Sequence, residues 1–378
     1  MTITIDQVEM RHVRMRLVSP FETSFGVEHD REAIVLRVLA GGLEGWGECV
    51  AGAFPGYSYE TIGTAWHVLE SFFIPAVLGR PLDSIDSYRA ALEPFKGHPL
   101  ARAGLELAFW DLLGKSKGVS LSTLLGGVRA RVPVGVSIGI QPDSGALVRV
   151  AGRYLAEGYR RIKLKIKPGR DVEEVRAVRK AFPEVALQVD ANSAYTLEQA
   201  AAVEALDDFG LLLIEQPLAE DDLLDHAALQ ARLRTRLCLD ESILSRRHAR
   251  QALEVRACRV INIKPARVGG LAEAGAIHEL CRAQGVPVWC GGMLETGIGR
   301  AANLALAALP GFELPGDISA SARYYDRDIA EPTFALNPDS TIDVPVGPGL
   351  GVAVIEDALA RVTLRKATLR ASSRSGQW

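Results

Sequence analysis

The sequence predicts an α/β protein: a (β/α)8 barrel of the TIM type, with an α+β N-terminal capping domain that the C-terminal segment completes. Three observations carry that expectation. Lys165, Asp190, Glu215, Asp240 and Lys264 follow one another at intervals of 25, 25, 25 and 24 residues, each closing a short apolar run (RIKLK, ALQVD, LLLIE, RLCLD, VINIK). A compact barrel of about 200 residues spends about 25 on each strand, returning helix and pair of loops. The spacing therefore sets one ionisable side chain at the C-terminal end of each of five consecutive strands. From residue 133 onward apolar runs alternate strictly with amphipathic segments, as a parallel sheet requires. Before that point period-two runs are followed by helical spacing, the pattern of a separate domain.

Taken in order, Ile3, Ile5, Val8, Met10, Val13 and Met15 mark a long period-two strand. AIVLRVLA (33–40) and Leu43–Cys49 are two more, with Gly41-Gly42 between them as a hairpin turn. Residues 60–78 and 100–114 show helical spacing, and KSKGVSLSTLLGG (115–127) connects them to the barrel. The capping domain is thus assigned to 1–125 and the barrel to 126–340. Barrel strands are expected at 133–139, 160–166, 186–191, 211–215, 236–240, 259–264, 286–290 and 312–315, with amphipathic helices such as 171–182 and 271–284 between them. After 341 a Gly- and Pro-rich run leaves the barrel to rejoin the cap (341–378), and RASSRSGQW closes the chain as a polar tail.

At 378 residues and 48% hydrophobic, the chain has ample material for a large core. Its 43 basic and 46 acidic residues give a net charge of −3, which favours neither nucleic acid nor an anionic membrane as partner. Cys49, Cys238, Cys258, Cys281 and Cys290 form no CxxC pair and read as reduced core thiols. The opening segment alternates apolar and charged residues, unlike a signal peptide, and no apolar run approaches the ~18 residues of a membrane span. A soluble, cytoplasmic protein is expected.

The chemistry follows from where the charges fall. Asp190, Glu215 and Asp240 on adjacent strand ends repel one another unless a cation sits among them. An oxygen-only donor set suits Mg²⁺ or Mn²⁺ and not Zn²⁺. Any one of these acids alone reads as well as a salt bridge or a helix cap; three in register point to a metal. Lys165 and Lys264 lie on the strands before and after the trio, on opposite sides of the barrel mouth. A lysine beside a divalent cation and a second lysine is expected to have a depressed pKa, which suits it as a base. Lys163 points the same way as Lys165 because strand side chains repeat every two residues. This set suits removal of the proton α to a carboxylate, where negative charge develops on oxygen next to the cation.

Lesser features are read both ways. Asn192 and Glu241 are either supporting groups of the metal site or helix caps and loop residues. Arg267 either tunes Lys264 or forms a surface ion pair. The glycines of CGGMLETGIGR (290–300) either let backbone approach an anion at a helix start or simply turn the chain. The aromatic loops 21–26 and 51–60 either close over the mouth or pack between domains. His226, His248 and His278 fall in helices and are expected at the surface.

With these residues in hand, the chain resembles the enolase superfamily, specifically its muconate lactonising enzyme subgroup. The matching motifs are KLK (163–165), VDAN (189–192), IEQP (214–217), DES (240–242) and NIKPARVGG (262–270). The last of these, with CGGMLETGIGR and LPGDISAS (314–321), is most similar to the branch of o-succinylbenzoate synthases and N-acylamino acid (N-succinylamino acid) racemases. The resemblance implies Mg²⁺, with Mn²⁺ or another divalent cation as substitute, bound by Asp190, Glu215 and Asp240. It implies Lys165 and Lys264 as the acid/base pair, and Ser137, Lys163, Asn192, Gly292 and Met293 as substrate contacts. The implied substrate is a small carboxylate, either an N-acylamino acid or, for a syn dehydration in menaquinone biosynthesis, a succinyl-cyclohexadiene carboxylate. A homo-oligomer, commonly an octamer, is the family tendency. A dipeptide epimerase or cycloisomerase of the same subgroup is the alternative; Asp317 is the single acid in the strand-eight loop that would greet a dipeptide's ammonium. A non-catalytic barrel is disfavoured, because all five chemical positions are intact.

Overall fold

The computed structural model describes residues 2–371, so all of the expected polar tail after Ala371 lies outside the described residues. Gln7–Thr23, Gly26–Ala40 and Leu43–Cys49 form an antiparallel sheet, and Thr363–Arg370 adds itself along Gln7–Thr23 as the outer strand. The C-terminal segment thus completes the cap. Gly41 and Gly42 have φ of 54° and 81°, the left-handed pair that a two-residue hairpin of this type requires. The first expected strand is broken: Ile3–Thr4 pairs instead with Pro81–Leu82, and the long strand begins at Gln7.

The helix expected over 60–78 starts at a Thr61 capping box and runs Ile62–Val68, then Leu69–Phe73 in a wider π turn, then Ile74–Val77. Pro75, without an N–H, cannot make the regular bond back to residue 71, and the wider turn accommodates it. Pro99–Lys117 is buried over most of its circumference, wedged between the cap sheet and the barrel. It approaches Leu43–Cys49 so closely that a Cβ on Gly47 would lie 2.1 Å from the Gly104 carbonyl oxygen.

Seven parallel strands follow in chain order: Val136–Ile138, Arg161–Lys165, Ala186–Asp190, Ile214–Glu215, Leu237–Leu239, Val260–Ile263 and Val288–Cys290. The eighth expected strand, 312–315, is reduced to single bridges, Phe312 to Val288 and Gly316 to Val134. Pro315 has no N–H to donate, and the Arg161 guanidinium takes the carbonyls of Pro315 (2.9 Å) and Gly316 (2.7 Å), so that backbone pairing is left to Gly316, which bonds to Pro133 and Gly135.

Two of the three histidines expected at the surface are buried. His226 accepts from the Leu218 N–H (3.2 Å), and His278 stacks on Phe312 with ring centres 5.2 Å apart. Each ring is anchored inside by a polar contact as well as by packing, His226 Nδ1 facing the Asp222 carbonyl (2.5 Å) and His278 Nε2 the Pro310 carbonyl (2.6 Å); His248 is half-buried. All five cysteines are buried and free. Among the described residues, no helix is long and apolar enough to cross a membrane.

Candidate active site

Strand register brings the ionisable residues together. Lys165 pairs across to Asp190, and Asp190 to Glu215. Asp240 and Lys264 each follow the last residue of their strands. Asp190, Glu215 and Asp240 are each 0% exposed, so each needs a counter-charge within contact distance. Lys163 Nζ supplies one, lying 2.9 Å from Asp190, 2.9 Å from Glu215 and 2.5 Å from Asp317. Lys165 Nζ donates to Asp190 (2.6 Å) and to Asn192 Oδ1 (2.6 Å). Lys264 Nζ donates to Asp240 (2.7 Å) and to the Tyr57 hydroxyl (3.1 Å), which itself donates to the other Asp240 oxygen (3.0 Å).

The supporting groups are all internal. Arg267 is buried, not on the surface: it grips Asp240 and donates to the carbonyls of Ile243 (2.8 Å) and Asn262 (2.6 Å). It therefore shares a carboxylate with Lys264. Asn192 donates to Glu241 (2.8 Å), and Asn262 donates to Glu215 (2.7 Å).

Electrostatics separate the two lysines expected to be alike. Burial pulls the Lys165 ammonium below its ordinary value, and Asp190 only partly restores it. Burial pulls Lys264 the same way, but Tyr57 and the carboxylates Glu215, Glu241 and Asp190 outweigh it and hold it above the usual range. Asp190, although buried, is held well below the usual carboxylate range by Lys163 and Lys165.

The donor set fits a hard divalent cation: three wholly buried carboxylates on neighbouring strand ends, with no His or Cys among them. Among the described residues, however, no three acidic, His or Cys groups are gathered closely enough to hold a metal as they stand. Lys163 bridges Asp190 and Glu215, while Lys264, Arg267 and Tyr57 engage Asp240. Cationic side chains hold the carboxylates that a metal would share.

Over these strand ends lies a cavity of about 240 Å³. Its wall includes Ser137, Lys163, Lys165, Asn192, Lys264, Gly292 and Met293 from the barrel, and Phe21, Phe25, Phe54 and Tyr57 from the two aromatic loops of the cap. Those loops do close over the mouth. Ser24 donates to the Asn192 carbonyl (3.1 Å), and the Ile140 N–H donates to the Glu22 carbonyl (2.9 Å), pinning the first loop to the barrel. Of the two readings of CGGMLETGIGR, the helix start there is met by the protein's own carboxyl groups. Glu48 accepts from the N–H groups of Thr296 (3.0 Å) and Gly299 (2.9 Å), and Asp328 from that of Gly297 (2.9 Å).

Sequence reasoning missed Tyr57 as a partner of Lys264, the Arg161–Asp317 pair (2.7 Å) and Asn262. Asn262 had a legible signal, since it lies two residues before Lys264 on the same strand and so faces the same way. The other two arise from contacts between distant parts of the chain.

Residues 5–126 match the N-terminal domain of the mandelate racemase/muconate lactonizing enzyme family, and residues 146–358 match its enolase C-terminal domain-like region. The chain belongs to this family, within the enolase superfamily. It is 53% identical over 360 residues to an N-succinylamino acid racemase of an Amycolatopsis species, covering 95% of this chain and 97% of that one. It is 51% identical over 364 residues to an o-succinylbenzoate synthase of Geobacillus kaustophilus, covering 96% and 97%. A solved member of the enolase superfamily from Listeria innocua superposes with a TM-score of 0.94 at 38% identity, covering 98% of this chain and all (100%) of that one. The resemblance read from the motifs is borne out to the level of that branch.

Proposed function

We propose that this protein is a Mg²⁺-dependent racemase of N-acylated amino acids that also carries o-succinylbenzoate synthase activity. The observation that supports it most directly is the placement of Lys165 and Lys264 on one cavity wall, four strands apart in an eight-position barrel, with Asp190, Glu215 and Asp240 between them. A substrate held between the two lysines presents opposite faces of its α-carbon to them. One lysine takes the α-proton onto its neutral amine, and the other gives an ammonium proton to the opposite face; the reverse direction exchanges the roles. A divalent cation held by the three carboxylates would neutralise the charge that builds on the substrate's carboxylate oxygens. Lys163, Asn192 and Ser137 bind and orient the substrate, and the aromatic loops exclude water.

The synthase activity shares the enolisation step, which is why one site serves both. Lys165 then handles both the proton and the departing hydroxyl on one face, and Lys264 stabilises the enediolate. The relatives carry both names, which favours this second activity. A dipeptide epimerase is disfavoured because Asp317 is already engaged by Arg161 and Lys163 and is not free to take a substrate ammonium.

The test is to incubate the enzyme and Mg²⁺ with N-succinyl and N-acetyl amino acids in D₂O, following α-proton exchange by NMR and optical inversion by polarimetry. Exchange with inversion is expected. A protein that exchanges no α-proton of either class is not this racemase.

A further inference from the structure

Asp240 stands just outside the ladder that carries its neighbours. Strand Ile214–Glu215 pairs with Leu237–Leu239 through Ile214 to Leu237 and Glu215 to Cys238, and on the other side the pairing stops at Leu239 with Ile261. Asp240 therefore lies past the last rung on both sides, although it bears one of the three buried carboxylates at the barrel mouth. A buried N–H beyond the ladder still needs an acceptor, and the side chain needs a fixed base.

Gln216 supplies both. Its main chain leaves the sheet directly after Glu215. The N–H still bonds to the Cys238 carbonyl (2.8 Å), but φ is 36°, on the left-handed side that a residue with a Cβ seldom adopts. Its carbonyl turns instead to accept from the Ser193 N–H (2.8 Å), in the loop that follows Asp190. The side chain then runs on where the backbone does not. Oε1 accepts from the N–H groups of Asp240 (2.9 Å) and Ser242 (3.3 Å), and Nε2 donates to the Ser242 hydroxyl (2.8 Å) and the Leu218 carbonyl (3.1 Å). A side-chain amide carries the same carbonyl and N–H groups as a peptide unit, so it can act as one further rung. Gln216 is 0% exposed. Backbone strain of this kind persists only where the surroundings over-determine it, and it gathers at functional sites. Here the segments that follow Asp190, Glu215 and Asp240 all hold the one residue.

We propose that Gln216 is a positioning residue: its amide replaces the missing rung, sets Asp240 at a fixed reach from Glu215, and so determines how tightly the three carboxylates take a divalent cation. The proposal rests on the metal reading of those carboxylates. Gln216 acts through Asp240 and not on the cation or the substrate, since its amide is spent on the protein.

The same strand carries its own control. Gln230 is also buried and clamps the opposite end of Leu237–Leu239: its Oε1 accepts from the Leu237 N–H (2.8 Å), and its Nε2 donates to the Thr235 carbonyl (3.2 Å). Gln216→Asn and Gln230→Asn each shorten a buried glutamine by one carbon and withdraw its amide from strand five, and asparagine tolerates the left-handed backbone at 216. Differential scanning calorimetry in EDTA should show a lowered Tm in both. Titration calorimetry with Mg²⁺ should separate them: Kd rises about ten- to a hundredfold in Gln216→Asn, the usual scale for groups that orient a metal ligand, and less than about twofold in Gln230→Asn. Ser242→Ala, which removes the acceptor that orients the Gln216 amide, should raise Kd a few-fold. Equal Kd values in the two asparagine variants overturn the proposal while leaving the metal reading in place. If Gln216→Asn does not fold, an unaltered Kd in Ser242→Ala overturns it equally. A wild type that binds no Mg²⁺ removes the metal reading and this proposal together.

Discussion

Replacing Lys163 by Met isolates the charge that holds the barrel mouth together. The ammonium is 2% exposed and lies within 2.9 Å of three buried carboxylates, Asp190, Glu215 and Asp317. A methionine of similar length fills the space beside Trp289, whose ring centre is 5.0 Å from the nitrogen, but supplies no charge. Stripping one partner from a buried ion cluster costs about 3–5 kcal/mol. For 378 residues unfolding with about 2.1 cal/mol/K each, that is a fall in Tm of about 4–6 °C. Lys167→Met is the matched control: Lys167 meets Glu22 at 3.0 Å with both side chains about one-third exposed, a pair that contributes under about 1 kcal/mol. The same substitution should therefore shift Tm by about 1 °C or less there. Magnesium completes the test. With Lys163 gone, a cation no longer competes with an ammonium for Asp190 and Glu215, and binding at a hundred times Kd adds about 2.7 kcal/mol to the folded state. Differential scanning calorimetry in EDTA and in Mg²⁺ should show a larger Mg²⁺-dependent gain for Lys163→Met than for wild type. Equal Tm values in EDTA, or equal gains in Mg²⁺, would refute the role of Lys163 as the charge that stands in for the cation.

Three further outcomes are expected. Asp190→Asn, Glu215→Gln and Asp240→Asn should each abolish activity with the fold retained, and titration calorimetry should show weakened Mg²⁺ binding in all three; unaltered binding in all of them would remove the metal assignment. Lys165→Ala and Lys264→Ala should each lose racemisation by several orders of magnitude while still exchanging the α-proton of one enantiomer, not the same one, in D₂O; equal exchange of both enantiomers by either variant would end the two-base mechanism. Burial pushes the Glu48 carboxyl up to about 7 from 4.5. Its contribution is therefore full below about pH 4.5 and is lost as pH rises through 7, a decline of about 3 kcal/mol across that window. Glu60, also pushed up to about 7 by burial, adds a similar decline, so Glu48→Gln should flatten the pH dependence of urea denaturation without abolishing it. A variant with the wild-type slope between pH 5 and 8 would show that Glu48 does not titrate in that window.

What the sequence made legible was whatever depends on local period. Lys163 and Lys165 share a face because a strand alternates every two residues. Asp190 and Glu215 meet because equal βα units bring equal strand ends into register. Even the lost eighth strand had a local cause, Pro315. The helix face of His226 and His278 was legible in the same way, but a histidine is polar enough to be assigned to water when its partners are unseen. Those partners, the Leu218 N–H and the Phe312 ring, lie in loops and neighbouring elements.

The cap's share of the site had no such signal. Tyr57 reaches Lys264 across 207 residues of chain, Glu48 reaches Thr296 across 248, and even within the barrel Arg161 reaches Asp317 across 156. Such contacts depend on how one domain docks on another, and docking is held by cross-domain contacts such as Ser24 to the Asn192 carbonyl and the Thr296 N–H to Glu48, not by any repeat. This divides the site physically. The lysines proposed to move protons sit at strand ends whose positions the backbone ladder fixes. The cap residues that line the same cavity, such as Phe25 and Tyr57, sit on loops tied to the barrel by side-chain contacts, which a few substitutions can alter without disturbing the ladder.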